Sequence, residues 1–255
     1  MLLSALAVAA SFALHAPFVV RGFGESDSAV LANTAAVWHA TGKLGGRGSY
    51  VQRTSPLYLV ALKTALDLGM PLRRLPGLMN WANAVMGSVA LLPMFFVLRK
   101  LVSWEISVGA CAIWAFSPAF WLANIYGMPH LPALLLFLAS LASVSVWCDA
   151  RRIGAIISVL IALVTMTAAC TLKADIVLCS LALPGVLWAR RRLSAQRLLV
   201  CALISGVSVG ITLALGRCIG PEAEGTVEYA GTECRAWLYC PLCVRLSKFG
   251  WRTFC

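Results

Sequence analysis

Apolar positions in this chain fall in long unbroken runs, not at the period-two or period-3.6 spacing of half-buried strands and surface helices. Residues 1–20, 75–98, 106–148, 153–172 and 198–216 hold no Asp, Glu, Lys or Arg, and 176–189 is a shorter run of the same kind. A bilayer hydrocarbon core of roughly 30 Å is crossed by about 20 such residues in a helix. The 106–148 run is about twice that length, and Ser117-Pro118 and Gly127-Met128-Pro129 mark where it reverses. Seven candidate spans follow: 1–20, 77–98, 106–123, 131–148, 154–171, 176–189 and 198–216. Backbone groups in lipid must be satisfied within their own segment, so helices are expected. A membrane barrel would alternate polar and apolar residues, and these runs do not. The expected fold is an all-α membrane protein of about seven transmembrane helices over 1–216, with a polar first loop at 21–75.

Composition agrees: 60% of residues are hydrophobic and 12% charged, against about a quarter charged in a soluble domain. The net charge of +11 would suit a nucleic-acid partner, but its placement argues for none. Arg99, Lys100, Arg151, Arg152, Arg190, Arg191, Arg192 and Arg197 lie in three short loops, while the alternate short loops 124–130 and 172–175 carry only Lys173. That asymmetry is the positive-inside pattern. It predicts a cytoplasmic N-terminus, with 21–75, 124–130 and 172–175 on the periplasmic, extracellular or luminal side of a plasma or inner membrane. Residues 1–20 lack a basic n-region and a good cleavage site, so an uncleaved helix is expected rather than a signal peptide.

The loop 21–75 is the one polar segment large enough to carry chemistry. A helix is expected over about 28–40, with Leu31, Ala35 and Trp38 on one face, suited to the membrane interface. Four glycines between Gly42 and Ser49 demand a loop. Pro56 is placed to start a second short helix running to about Leu68. Asp27 stands at the start of the first helix, where capping is its ordinary role. His15 and His39 read as structural.

Five cysteines lie in or beside the spans and suit small apolar packing. The other five, Cys218, Cys234, Cys240, Cys243 and Cys255, crowd a polar segment at 217–255 with no helical or strand period. Cys240-Pro-Leu-Cys243 is half of a zinc pattern without a second half. This segment reads as the aberrant end of a truncated or frame-shifted chain. No phosphate-binding P-loop and no HExxH motif occurs.

Three segments share the predicted outer side: Gly24-Glu-Ser-Asp27-Ser, Arg53-Thr-Ser-Pro56-Leu-Tyr58 and Arg74-Leu-Pro76-Gly-Leu. Weaker companions are Ser117-Pro118…Met128-Pro-His130 and Lys173-Ala-Asp175. Their order over about 20–190 resembles the GT-C class, the polytopic glycosyltransferases that use polyprenyl-phosphate sugars, near the protein O-mannosyltransferases and the bacterial aminoarabinose transferases. The resemblance implies inverting transfer of a sugar from a polyprenyl-phosphate donor to an acceptor hydroxyl. Asp27 would be the general base, with Glu25 as the fallback. Arg53 and Lys173 would hold the leaving phosphate, while Tyr58 and His130 would line the substrate site. No cofactor is assigned; the chemistry admits a divalent cation, and no metal ligand is named. The implied partners are membrane lipid and the lipid-linked sugar donor, and the oligomeric state is left open. Two alternatives stand: a transporter or flippase of lipid-linked or anionic substrates, and an inactive truncated homologue. Transport is disfavoured by the absence of carboxylates within the spans.

Overall fold

The computed structural model describes residues 2–19, 22, 26–42, 55–125 and 127–218, and among them every regular element is a helix. In chain order these are α1 (Leu2–His15), α2 (Ser26–Thr41), α3 (Pro56–Asp67), α4 (Leu75–Leu101), α5 (Trp104–Phe116) and α6 (Pro118–Ile125). Then come α7 (His130–Trp147), α8 (Arg152–Leu172), α9 (Ile176–Cys179), α10 (Ala182–Ala189) and α11 (Ala195–Cys218), with 3-10 turns at Ala16–Phe18 and Leu72–Arg74. The 219–255 segment, with Cys234, Cys240, Cys243 and Cys255, lies outside the described residues.

Among the described residues four helices are long and apolar enough to cross a membrane: Leu72–Leu101, His130–Trp147, Arg152–Leu172 and Ala195–Leu215. They correspond to four of the seven expected spans. The other three are helical but short. α1 has 14 residues, about 21 Å at 1.5 Å per residue. The 106–123 stretch breaks at Ser117, whose extended backbone (φ −68°, ψ 137°) is what a following proline imposes. In 176–189, Pro184 has no N–H to give the Ser180 carbonyl. Leu183 N donates there instead at 3.0 Å, a tighter turn that separates α9 from α10.

The outward faces of the long helices are apolar. On α8, Ile153 is 76% and Val164 65% exposed, whereas Ala162, Met166, Ala169 and Cys170 on the opposite face are fully buried. A helix apolar all round belongs in lipid or in a larger core, and this polarity marks the chain as a membrane protein. Contacts between helices are then made by small residues and hydroxyl hydrogen bonds. Ser140 Oγ of α7 donates to the Ala162 carbonyl of α8 at 2.9 Å, and Thr167 of α8 shares a 3.0 Å hydrogen bond with Ser208 of α11. Val97, Leu141, Val144, Met166, Leu183 and Leu187 fill the core around these bonds.

Charges collect at the helix ends. At one end Asp149, in the turn between α7 and α8, accepts from Arg190 Nη2 at 2.9 and 3.1 Å, and lies 3.3 Å from Lys100 Nζ. Arg190 also donates to the Ser145 carbonyl at 2.5 Å. One carboxylate therefore ties the ends of α4, α7 and α10. The Arg190 hydrogen bonds, and then Lys100, hold the Asp149 carboxyl below the usual carboxylate range.

A carboxylate with a depressed folded-state pKa stabilises the fold above its unfolded value, about 3.9 for Asp. That contribution disappears as pH falls through the lower folded value. Asp149→Asn should therefore lower the thermal midpoint of the solubilised protein at pH 7, by the equivalent of about 1 kcal/mol or less for a pair this exposed. The difference from wild type should vanish in acid well below pH 4, about the ordinary Asp value. Equal midpoints at pH 7, measured by thermal unfolding in detergent, would contradict the role given to this pair.

Candidate functional site

At the other end of the bundle the described parts of the polar loop, 26–42 and 55–75, pack against the helices. Pro56 opens α3 at its first turn, as its fixed φ favours. α2 and α3 end at Gly42 (φ 68°) and Gly69 (φ 89°), left-handed positions that favour glycine. The expected helices 28–40 and 56–68 are thus present, and Leu31 and Ala35 are fully buried with Trp38 packed beside them. These side chains meet Tyr58, Leu59, Leu62 and Leu66 of α3, Leu75 and Met79 of α4, Ala133 of α7 and Leu172 of α8. On the outer edge Lys63 Nζ lies 2.5 Å from Asp67 Oδ2, and His39 Nδ1–H donates to Asp67 Oδ1 at 2.7 Å. Lys63 also stands 5.5 Å from the Trp38 ring centre. Hydrogen bonds from Lys63, then His39, keep the Asp67 carboxyl below the usual range. His39 thus has the structural part expected of it, fastening α2 to α3.

Tyr58 joins this loop to the bundle. Its ring is buried and its hydroxyl donates to the Gly127 carbonyl at 3.1 Å. Burial raises its phenol pKa far above the ordinary value, so it stays a neutral donor. Gly127 in turn sits against α4: a Cβ there would lie 2.5 Å from Met79 Cβ and 2.7 Å from Asn80 Oδ1. Asn80 Nδ2 reaches the Gly22 carbonyl at 2.8 Å, and Asn83 Nδ2 the Ala123 carbonyl at 3.2 Å. Two asparagines of α4 thereby hold the entry to the loop and the end of α6. Sequence reading missed both, because nothing local distinguishes them from other polar residues in an apolar run.

The expected site residues divide as follows. Asp27 lies in the first turn of α2; Glu25 and Arg53 lie outside the described residues. His130 is the exposed first residue of α7, directly after the buried turn at Gly127, Met128 and Pro129. Lys173 follows Leu172 of the shared cluster, and its Nζ is 3.2 Å from Asp175 Oδ2. The Lys173 side chain is only 11% exposed while Asp175 is 56% exposed, so the lysine lies against protein with its carboxylate partner toward the surface. Tyr58, the 127–130 turn and the 172–175 turn therefore meet at one end of the bundle, beside Leu31 and Ala35 of α2. Among the described residues no group of three or more His, Cys, Asp or Glu is placed to hold a metal ion.

One further pattern is resolved by its surroundings. Gly206-Val-Ser208-Val-Gly210 has the spelling of a hydrolase nucleophile elbow, which needs a strand-to-helix turn. Here it lies inside α11, and Ser208 is fully buried on Thr167. It is a helix-packing residue.

Tyr58→Phe keeps the ring and removes the bond to Gly127, which should cost roughly 0.5–1.5 kcal/mol. Gly127→Ala must push apart Met79 and the 127–130 turn and should cost about 1–3 kcal/mol. Thermal midpoints of the two variants in detergent should rank accordingly, and a neutral Gly127→Ala would show that the turn is not seated on α4. No protein-family model matches this chain, and no curated protein does either.

Proposed function

We propose that this chain is a membrane glycosyltransferase of the GT-C type, transferring a sugar from a polyprenyl-phosphate donor to an acceptor hydroxyl. The observation that carries the reading is the convergence of 56–67, 127–130 and 172–175 at one end of the bundle, where Leu31, Ala32 and Ala35 of α2 pack into the same cluster. These are the segments whose order in sequence carries the resemblance. Arg99, Lys100, Arg151, Arg152, Arg190, Arg191, Arg192 and Arg197 belong to the opposite end, and this asymmetry among the short loops supports a reading in which that end is cytoplasmic and the Tyr58 end outer or luminal. Lipid-linked sugars displayed on that side would reach the loop from the bilayer.

In this mechanism the Asp27 carboxylate takes the proton of the acceptor hydroxyl as its oxygen bonds to the sugar C1. The C1–O bond to phosphate breaks on the opposite face, inverting the centre, and the electron pair leaves with the polyprenyl phosphate. Cations at the membrane boundary stabilise that anion. Lys173 and Arg53 are the proposed partners; Lys173 would exchange Asp175 for the phosphate. Tyr58, as a buried donor to Gly127, shapes the floor under the substrate, and His130 lines the entrance. Glu25 stands near enough in sequence to replace Asp27 as base.

Asp27→Asn should reduce transfer by about 10²–10⁴-fold, the usual contribution of a positioned base, with membrane insertion unchanged. The assay is release of labelled sugar from polyprenyl-phosphate hexoses and pentoses by the full chain in membranes. Undiminished transfer by the variant would remove Asp27 from the mechanism. Failure of the wild type to use any of these donors would overturn the reading as a whole.

A further inference from the structure

A cleft of about 780 Å³ opens beside the Tyr58 end, between the tail of α1 and the head of α4. Ala16, Pro17 and Val19 form one wall, Gly77, Leu78 and Trp81 the other, and Met70, Arg73 and Arg74 the rim. Two of its properties together point to a ligand, though Arg151 and Arg152 at the opposite end are likewise exposed and outside any ion pair among the described residues. Lys100, Asp149, Arg190, Lys63, Asp67, Lys173 and Asp175 all sit in ion pairs. The side chains of Arg73 and Arg74, both exposed, form no hydrogen bond or ion pair with any described residue. The walls, by contrast, are apolar and open: Leu78 is 38% and Trp81 45% exposed.

The depth of these groups fits a particular ligand. Arg74 directly precedes α4, one of the four helices long enough to cross a bilayer. Guanidiniums at the start of such a helix stand at the level of lipid phosphates. Trp81 lies seven residues further along, about 10 Å deeper at 1.5 Å per residue, where acyl chains begin. Guanidinium forks bind phosphate oxygens in pairs, and an interfacial tryptophan is at home beside the upper part of a chain. The volume lies within the range of small-ligand pockets, roughly 300–1,000 Å³. That is room for a headgroup and the first part of its chains.

We propose that this cleft binds an anionic glycerophospholipid of the surrounding bilayer, its phosphate on Arg73 and Arg74 and its chains along Leu78 and Trp81. The inference needs only that the chain resides in a membrane; it does not rest on transferase chemistry, and it can fail or hold separately from sugar transfer. A bound lipid would also fill the gap between α1 and α4, fixing the entry to the loop that Asn80 holds through Gly22.

The test is native mass spectrometry of the solubilised full chain with phosphatidylglycerol, phosphatidylcholine or inorganic phosphate added. Wild type should retain one phosphatidylglycerol in preference to phosphatidylcholine by about thirtyfold, the order expected from two interfacial arginines at about 1 kcal/mol each. The double variant Arg73→Gln, Arg74→Gln should lose that preference. Arg151→Gln with Arg152→Gln, which removes equal charge at the opposite end, should keep it. Equal retention of the two lipids by wild type, or an unchanged preference in the Arg73/Arg74 variant, would overturn the proposal. Displacement of phosphatidylglycerol by inorganic phosphate would also overturn it, marking a soluble-anion site instead. Elution of both variants as wild type on size exclusion verifies that the cleft, not the fold, has been changed.

Discussion

Carrying a charge into hydrocarbon costs several kcal/mol even by the mildest scales, and that cost arranges this molecule. Its long helices hold no ionisable acid or base over most of their length, so no ionic contact is open to them there. What remains is close approach of small side chains and hydroxyl-to-carbonyl hydrogen bonds, the kind made by Ser140 and by Thr167 with Ser208. Individually such bonds are modest in lipid, about 0.6 kcal/mol on average, and packing around Ala162, Met166 and Ala169 supplies the rest. Every ion pair among the described residues is consequently displaced to an end of the bundle or to a loop. The two ends then differ in kind. One is a set of cations gathered on a single carboxylate, Asp149; the other is a folded cap with its own apolar core.

The cap explains why a loop of this length is tolerated. A loop over a bundle must satisfy its own backbone and bury something to offset its ordering entropy. Here two short helices do the first and the Leu31–Ala35–Leu59–Leu62 cluster does the second. Helices of 16 and 12 residues are marginal alone in water; they persist because Leu75, Met79, Ala133 and Leu172 complete their apolar face. The polar reach of Tyr58 to Gly127 and of Asn80 to Gly22 then sets where the cap sits. A residue carried by α2 is thereby placed relative to the 127–130 and 172–175 turns by contacts that none of those segments makes alone.

How much of this could be read from the sequence follows from the range of the interactions involved. Unbroken apolar runs announce the four long helices, and Pro56 and Gly42 announce the start of α3 and the end of α2, because those signals are local. The three shorter segments were expected as spans on composition alone. Composition is blind to the carbonyl of Ser180 that Pro184 leaves unserved, and to the bend that Pro118 imposes on Ser117. The grouping of Tyr58, His130 and Lys173 on one side followed from counting spans. The contacts that bring their segments together did not, since the Tyr58–Gly127 bond links residues 69 positions apart and Leu172 meets Tyr58 only through a shared apolar cluster. Asn80, Asn83 and Gly127 were invisible for the same reason: their importance lies wholly in what a distant backbone presents to them.

The cations illustrate a last distinction between a residue's type and its availability. On sequence alone Lys173 is the more conspicuous candidate for holding an anion, next to a span and near an acidic neighbour. In the structure that neighbour, Asp175, already accompanies it, and its side chain is largely enclosed. Any phosphate arriving there must displace a carboxylate, so binding would be a difference between two ion pairs and correspondingly shallow. Among the described residues Arg73 and Arg74 face no such competitor, and both line a cleft with apolar walls. A firmly held lipid phosphate and a transiently held leaving phosphate ask for opposite properties: an unopposed pair of guanidiniums for one, an exchangeable lysine for the other. The two proposed sites at this end of the molecule differ in that same sense.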